Sequence, residues 1–154
     1  MEQKTKINAE DGKQELTITR EFDLPLDLLF RAYVEPEIVE EWMGTKVIKL
    51  ESKKHGGYQF ETTDPKGNKY VFSGVIHDLV SNKKIVRTFE MESAPFGAQL
   101  EFLEFEKLSD DTSKLTMHVI YRSEEIRRQI LSMPFAQGIN MAHNRIEEIL
   151  NKLK

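Results

Sequence analysis

The closing stretch Met133–Lys154, MPFAQGINMAHNRIEEILNKLK, decides the fold. Phe135, Ile139, Ala142, Ile146, Ile149, Leu150 and Leu153 recur at steps of three and four, which is the apolar stripe of an amphipathic helix. Pro134 suits a helical first turn, where its missing N–H costs nothing. About seventeen helical residues would run ~25 Å at ~1.5 Å per residue, the span of a small domain. Almost everything between Lys46 and Arg122 reads as strand, so this helix must find its partner in a sheet. The expected architecture is α+β: a curved antiparallel sheet wrapped around the C-terminal helix, with a cavity between them.

Upstream of that helix the patterns are short and distinct. Residues 1–14 are polar and expected to be frayed, and residues 15–154 read as one domain. ELTITREF, residues 15–22, alternates Leu16, Ile18 and Arg20 against Thr17, Thr19 and Glu21, as a strand does. Pro25 opens LPLDLLFRAYV, in which Leu26, Leu29, Phe30 and Tyr33 share a helical face. Pro36 disfavours helical geometry in Glu35, so a second helix starts there and runs past Trp42 to a stop at Gly44. These two helices form a hinge-like insert between the first strand and the rest of the sheet.

From Lys46 the period becomes two. VIKLE, YQFETT, KYVFSGVIHDLV, KKIVRTFEME, QLEFLEFEKL and KLTMHVIYR are strands, separated by turn signals such as Asp64-Pro65-Lys66-Gly67-Asn68 and Ser81-Asn82. Short connections imply antiparallel pairing. The loop ESAPFG, residues 92–97, carries a phenylalanine expected to be exposed. One strand breaks the rule: Leu100 and Phe102 fall on one parity, Leu103 and Phe105 on the other. Either both faces are covered there or a bulge switches the register.

The totals exclude several classes of function. A chain of 154 residues with formal charge −4 lacks the basic excess of a nucleic-acid surface. Lys53-Lys54, Lys83-Lys84 and Arg127-Arg128 are isolated pairs, read as solvated turns or helix faces. With no cysteine there are no disulfides, thiol nucleophiles or cysteine-ligated metals. The start MEQKTKINAEDGKQ has no apolar core for a secretory signal, and no run approaches the ~18 apolar residues of a membrane span. Neither nucleic acid nor membrane is an expected partner, and the cytoplasm is the expected compartment.

The order of elements, strand, two helices, six antiparallel strands and long helix, is a helix-grip. ITREFDLPLDLLFRAYVEPEIVEEWMG resembles the opening signature of the AHSA1-like branch of the START/Bet v 1-like superfamily. The matching residues are Arg20, Phe22, Pro25, Phe30, Ala32, Pro36, Glu37, Trp42 and Gly44. Further matches are Gly57 with Phe60, the Pro65-Lys66-Gly67 turn, Gly74-Val75, Thr88-Phe89, Gly138 and Arg145-Ile146. The resemblance covers residues 15 to 153. The sequence departs from that pattern where Met43 follows Trp42 in place of a second aromatic. It departs again at Ile139, where tryptophan is usual, and at His143, where leucine is usual. All three are expected cavity positions.

Catalytic motifs are missing. His55, His77, His118 and His143 form no H-x-x-x-H or H-E-x-x-H spacing, and no metal or cofactor is expected. His55 reads as exposed in a turn, and His77 and His118 as solvent-facing strand residues. Only His143 lies near Ile139 around the helix, either facing the cavity or satisfied at the helix flank. Glu101, Glu104 and Glu106 read as solvated strand alternation. No nucleophile elbow, phosphate loop or dinucleotide fingerprint is present. The apolar set is the stronger signal. Tyr58, Phe60, Phe72, Ile76, Phe89, Met91, Met117 and Val119 are candidates for the concave face, opposed by Trp42, Phe135 and Ile139. Ligand pockets are mostly apolar with a few polar anchors, and Arg87, on the parity of Phe89, is either an inward anchor or a rim residue.

Three roles follow. The first is binding of a small hydrophobic or aromatic molecule in the cavity, without catalysis. The second, implied by the resemblance, is a polyketide cyclase or aromatase-like enzyme, for which His143, Tyr58, Arg87 and Glu61 are the candidates. The third is an Hsp90-related interaction module; the sequence shows no additional N-terminal domain of the kind that co-chaperone carries, which ranks this role last. A homodimer is compatible with all three.

Overall fold

A computed structural model of the chain describes residues 4–154; the first three residues of the polar N-terminal segment lie outside the described residues. Its strands are β1 (Lys6–Asn8), β2 (Glu15–Phe22), β3 (Lys46–Leu50), β4 (Gly57–Thr63), β5 (Lys69–Val80), β6 (Lys84–Met91), β7 (Gln99–Lys107) and β8 (Ser113–Ile120). The helices are α1 (Leu26–Val34), α2 (Pro36–Met43), α3 (Glu124–Ser132) and α4 (Phe135–Asn151). All neighbouring strands are antiparallel in one sheet of order β1-β2-β8-β7-β6-β5-β4-β3. Since β2 lies beside β8 and β3 is the far edge, α1 and α2 carry the chain across the whole sheet. This is the expected helix-grip, a START/Bet v 1-like fold, with α4 of 17 residues at its centre. Among the described residues no helix is long and apolar enough to cross a membrane.

Local chemistry accounts for most boundaries. Pro36 begins α2, and Gly44 ends it at φ 62°, a left-handed conformation glycine adopts without Cβ strain. The register shifts between Val47 and Lys49 and between Ile76 and Asp78 break the ladder locally, as bulges do in curved sheets. Gly74 is needed for room. A Cβ there would overlap the Thr88 carbonyl oxygen and come within 2.6 Å of Tyr58 Oη, the two partners of a partly buried hydrogen bond.

Several expectations are corrected. Residues 6–8, within the segment expected to fray, pair with Thr17, Ile18 and Thr19 as an edge strand. Strand β7 needs neither two covered faces nor a bulge: its register against β6 and β8 is continuous. Its inward residues are Glu101, Leu103 and Phe105, whereas Leu100 and Phe102 sit half-buried on the outer face. Phe102 stacks there on His118 with ring centroids 5.9 Å apart. Phe96 is partly buried against the core. Arg127 is buried because α3 folds back on β2, where Arg127 Nη1 donates to the Glu15 carbonyl at 2.9 Å. Leu153 falls beyond the end of α4 and is exposed, so the buried stripe closes at Leu150.

Candidate functional site

The two halves of α4 do different things. In the second half Ile146 and Leu150 are completely buried, and Arg145 Nη2 donates to the Glu41 carbonyl at 2.6 Å, tying the helix to the end of α2. In the first half Phe135, Ile139 and Ala142 are only half-buried. They roof a cavity of about 460 Å³ whose floor is the inner face of the sheet. Ile18, Met117 and Val119 form the floor, Trp42 and Met43 of α2 one wall, and Phe89 and Tyr121 line it as well. Met141, which is exposed, marks the mouth.

Of the residues expected at this site, Trp42, Arg87, Phe89, Met117, Val119, Phe135, Ile139 and His143 line the cavity. Tyr58, Phe60, Phe72, Ile76 and Met91 do not. They belong to the β4–β6 side of the sheet, where the space is filled. Tyr58 and Phe60 pack ring to ring at 5.1 Å, Phe72 stacks on Phe89 at 5.5 Å, and Ile76 is a core residue. Tyr58 also spends its hydroxyl on the Thr88 carbonyl. Glu61 lies outside the site, 3.6 Å from Lys69 Nζ near the surface. The three positions at which the sequence departs from the family pattern, Met43, Ile139 and His143, all line the cavity.

The polar groups of the cavity are few and organised. Arg87 points inward, its side chain 14% exposed, and its Nε donates to Glu101 Oε1 at 2.8 Å. The other oxygen of Glu101 accepts from Gln99 Nε2 at 2.6 Å. Around the guanidinium stand the rings of Tyr33, Tyr58 and Phe89, with centroids 5.8, 5.6 and 5.9 Å from Cζ. Burial works against the Arg87 charge, but Glu101, Tyr58 and Tyr33 together outweigh it and raise the pKa above the ordinary guanidinium value. The Tyr33 and Tyr121 phenols, also in the lining, are raised by burial and stay protonated. Trp42, a wall residue, donates its Nε1–H to the Ala32 carbonyl at 2.6 Å.

His143 is 1% exposed, and its Nδ1 lies 2.8 Å from Thr5 Oγ1. Burial, then the positive charge of Arg20, lowers its pKa to about 3, so the ring is neutral. Arg20 is itself buried, bonded to Asn144 Oδ1 at 2.7 Å and Glu147 Oε2 at 2.8 Å. Glu101, Tyr33 and Tyr121 were not foreseen as site residues. The signal for Glu101 was its shared parity with Leu103 and Phe105, and for Tyr121 its shared parity with Met117 and Val119. Among the described residues no group of three or more His, Asp or Glu side chains is placed to hold a metal ion.

A curved sheet gripping a helix over a partly open cavity defines a START/Bet v 1-like protein. The family model described as Activator of Hsp90 ATPase homolog 1-like protein matches residues 23–151, and the chain belongs to that family. Among solved structures it is similar to a protein of Rhodobacter sphaeroides, at 19% identity and TM-score 0.83 over 97% of this chain and 100% of that one. It is also similar to Ms6760 of Mycobacterium smegmatis, at 22% identity and TM-score 0.82 over 94% and 95% of the two chains. A protein of Arthrobacter aurescens aligns at 17% identity and TM-score 0.85 over 96% and 91%. At these identities the likeness shows the fold. Comparison with curated proteins gives no match.

Proposed function

We propose that this protein binds a small hydrophobic or aromatic molecule in the cavity between the sheet and the first half of α4. The observation that carries the reading is the Arg87–Glu101 pair inside an otherwise apolar lining. A buried ion pair is poor support for stability, because well-packed apolar residues of similar volume often serve as well or better. Its position in a cavity wall fits a polar anchor for a ligand. A cavity of about 460 Å³ lies within the ~300–1,000 Å³ of small-molecule pockets. Met43, Met117 and Met141 in the lining can adapt to varied shapes. The role needs no cofactor and no catalytic group, and we place it in the cytoplasm.

Thermal shift against a library of lipids and aromatic compounds tests the reading. A ligand at a hundredfold excess over its Kd should stabilise the protein by ~2.7 kcal/mol, and Arg87→Ala should reduce the response to compounds bearing a polar group. A library that leaves the melting temperature unmoved throughout would refute it.

A further inference from the structure

Three neighbouring strands place a polar patch at one end of the cavity floor. The register sets Arg87 of β6 against Glu101 of β7, and Glu101 against Val119 of β8. Two residues along on the same face, Phe89 is paired with Gln99, and Tyr121 follows Val119. Antiparallel neighbours stand ~5 Å apart and diagonal ones ~7 Å, so these side chains share one small area. Tyr33, from α1, brings its ring centroid within 5.8 Å of Arg87 Cζ. Toward the other end of the floor the lining is apolar: Met117 of β8 beside its partner Ile18 of β2.

Within this patch the carboxylate is engaged and the donors around it are not. Glu101 accepts from Arg87 Nε through one oxygen and from Gln99 Nε2 through the other. Arg87 Nη1 and Nη2, Tyr33 Oη and Tyr121 Oη make no hydrogen bond among the described residues. Nor are they sealed from solvent: the unpartnered side-chain atoms that water cannot reach are Arg20 Nε, Arg127 Nε and His143 Nε2. Tyr33 and Tyr121 are otherwise buried, at 5% and 3% exposure, and both line this cavity together with Arg87. Their free polar atoms therefore open into it. A guanidinium only donates, and burial keeps both phenols protonated and able to donate.

We propose that Arg87 Nη1 and Nη2 and the hydroxyls of Tyr33 and Tyr121 form a donor subsite, and that the ligand is an uncharged aromatic compound whose carbonyl oxygen lies against it, with the hydrocarbon body directed toward Ile18 and Met117. The proposal rests on the ligand-binding reading above and adds the polarity and direction of the ligand. A ligand without an oxygen would strip water from these donors and return nothing. A carboxylate would sit beside Glu101, whose like charge opposes it. The other cation of the lining, Arg145, is exposed and turned to the Glu41 carbonyl at the end of α2, so it does not offset that repulsion.

The test compares three molecules of one shape by equilibrium dialysis: 2-acetylnaphthalene, 2-naphthoate and 2-isopropylnaphthalene, which present a carbonyl, a carboxylate and no oxygen at the same place. The ketone is expected to bind about tenfold more tightly than either of the others, the worth of one hydrogen bond to a charged donor. The double variant Tyr33→Phe with Tyr121→Phe should cut the ketone's advantage about fivefold. It should leave the hydrocarbon's affinity and the ligand-free melting temperature unchanged, because neither hydroxyl has a partner within the protein. A lower melting temperature with all three affinities falling together would make the hydroxyls structural and overturn the subsite. Naphthoate or the hydrocarbon bound as tightly as the ketone, or an advantage undiminished in the double variant, would overturn it too, leaving the cavity reading intact. Failure of all three probes and of the compound library to bind would overturn both.

Discussion

Glu101 and Arg87 face each other inside a ring of aromatic side chains, and each makes the other tolerable there. Glu101→Gln keeps the shape but leaves a buried guanidinium without a countercharge, and should cost about 3 kcal/mol in urea denaturation. The double replacement Arg87→Met with Glu101→Leu should return close to wild-type stability while weakening any ligand anchored at Arg87. His143 makes a second prediction. Its pKa falls from an ordinary 6.5 to about 3 on folding, so below pH 6.5 the unfolded chain binds the extra proton. Stability is therefore complete above pH 6.5 and lost as pH falls toward 3. From pH 7 to pH 5 this one group should remove about 2 kcal/mol, measured as a fall in the denaturation midpoint that His143→Phe lacks. His143 was legible in the sequence as the histidine nearest the cavity face. Glu101 was not, because three glutamates on one strand look like solvated alternation until the neighbouring parities are compared. Nor could sequence show Thr5 meeting His143, a contact across almost the whole chain.

At the scale of elements, α4 was legible because one long helix carries a stripe of period 3.6, and its span of 17 residues agrees with the expectation. What the stripe conceals is that the two halves of the helix are buried to different extents. The first half is only half-buried against the core where it roofs the cavity, and a Cβ added at Gly138 would meet nothing within 4 Å. Gly138→Ala should thus stabilise the protein by about 0.5–1 kcal/mol through chain entropy and helix propensity, read as a higher urea midpoint. A fall in stability would show that this half of the helix is more tightly seated than the structure has it. Helix α3 escaped notice although its signal was present. Ser123 is an N-cap whose hydroxyl accepts from the Ile126 N–H at 3.1 Å, and Glu124 and Glu125 follow in the first turn. β1 gave no pattern to read, since three polar-flanked residues at a sheet edge are too few for a period to register.

For the molecule as a whole, the fold was readable because its order of elements admits few arrangements. The insert α1–α2 must carry the chain from β2 to the far edge of the sheet, and α4, reached from β8 through α3, returns over the concave face. The place of the cavity follows from that geometry; its walls do not, because they depend on which half of the concave face the core fills. Tyr58, Phe60 and Ile76 have the same alternation as Met117 and Val119, and all five are buried, yet only Met117 and Val119 line the cavity. The central claim, that the lined space is a ligand site, is tested most directly by native mass spectrometry of the protein incubated with aromatic and lipid compounds of cavity size. The wild type is compared with Ala142→Trp, which fills the space under α4, and a melting curve shows that the variant is folded. We predict one-to-one adducts on the wild type that disappear from Ala142→Trp. A bare wild-type mass across the library, or adducts equally abundant on the filled variant, would contradict the account.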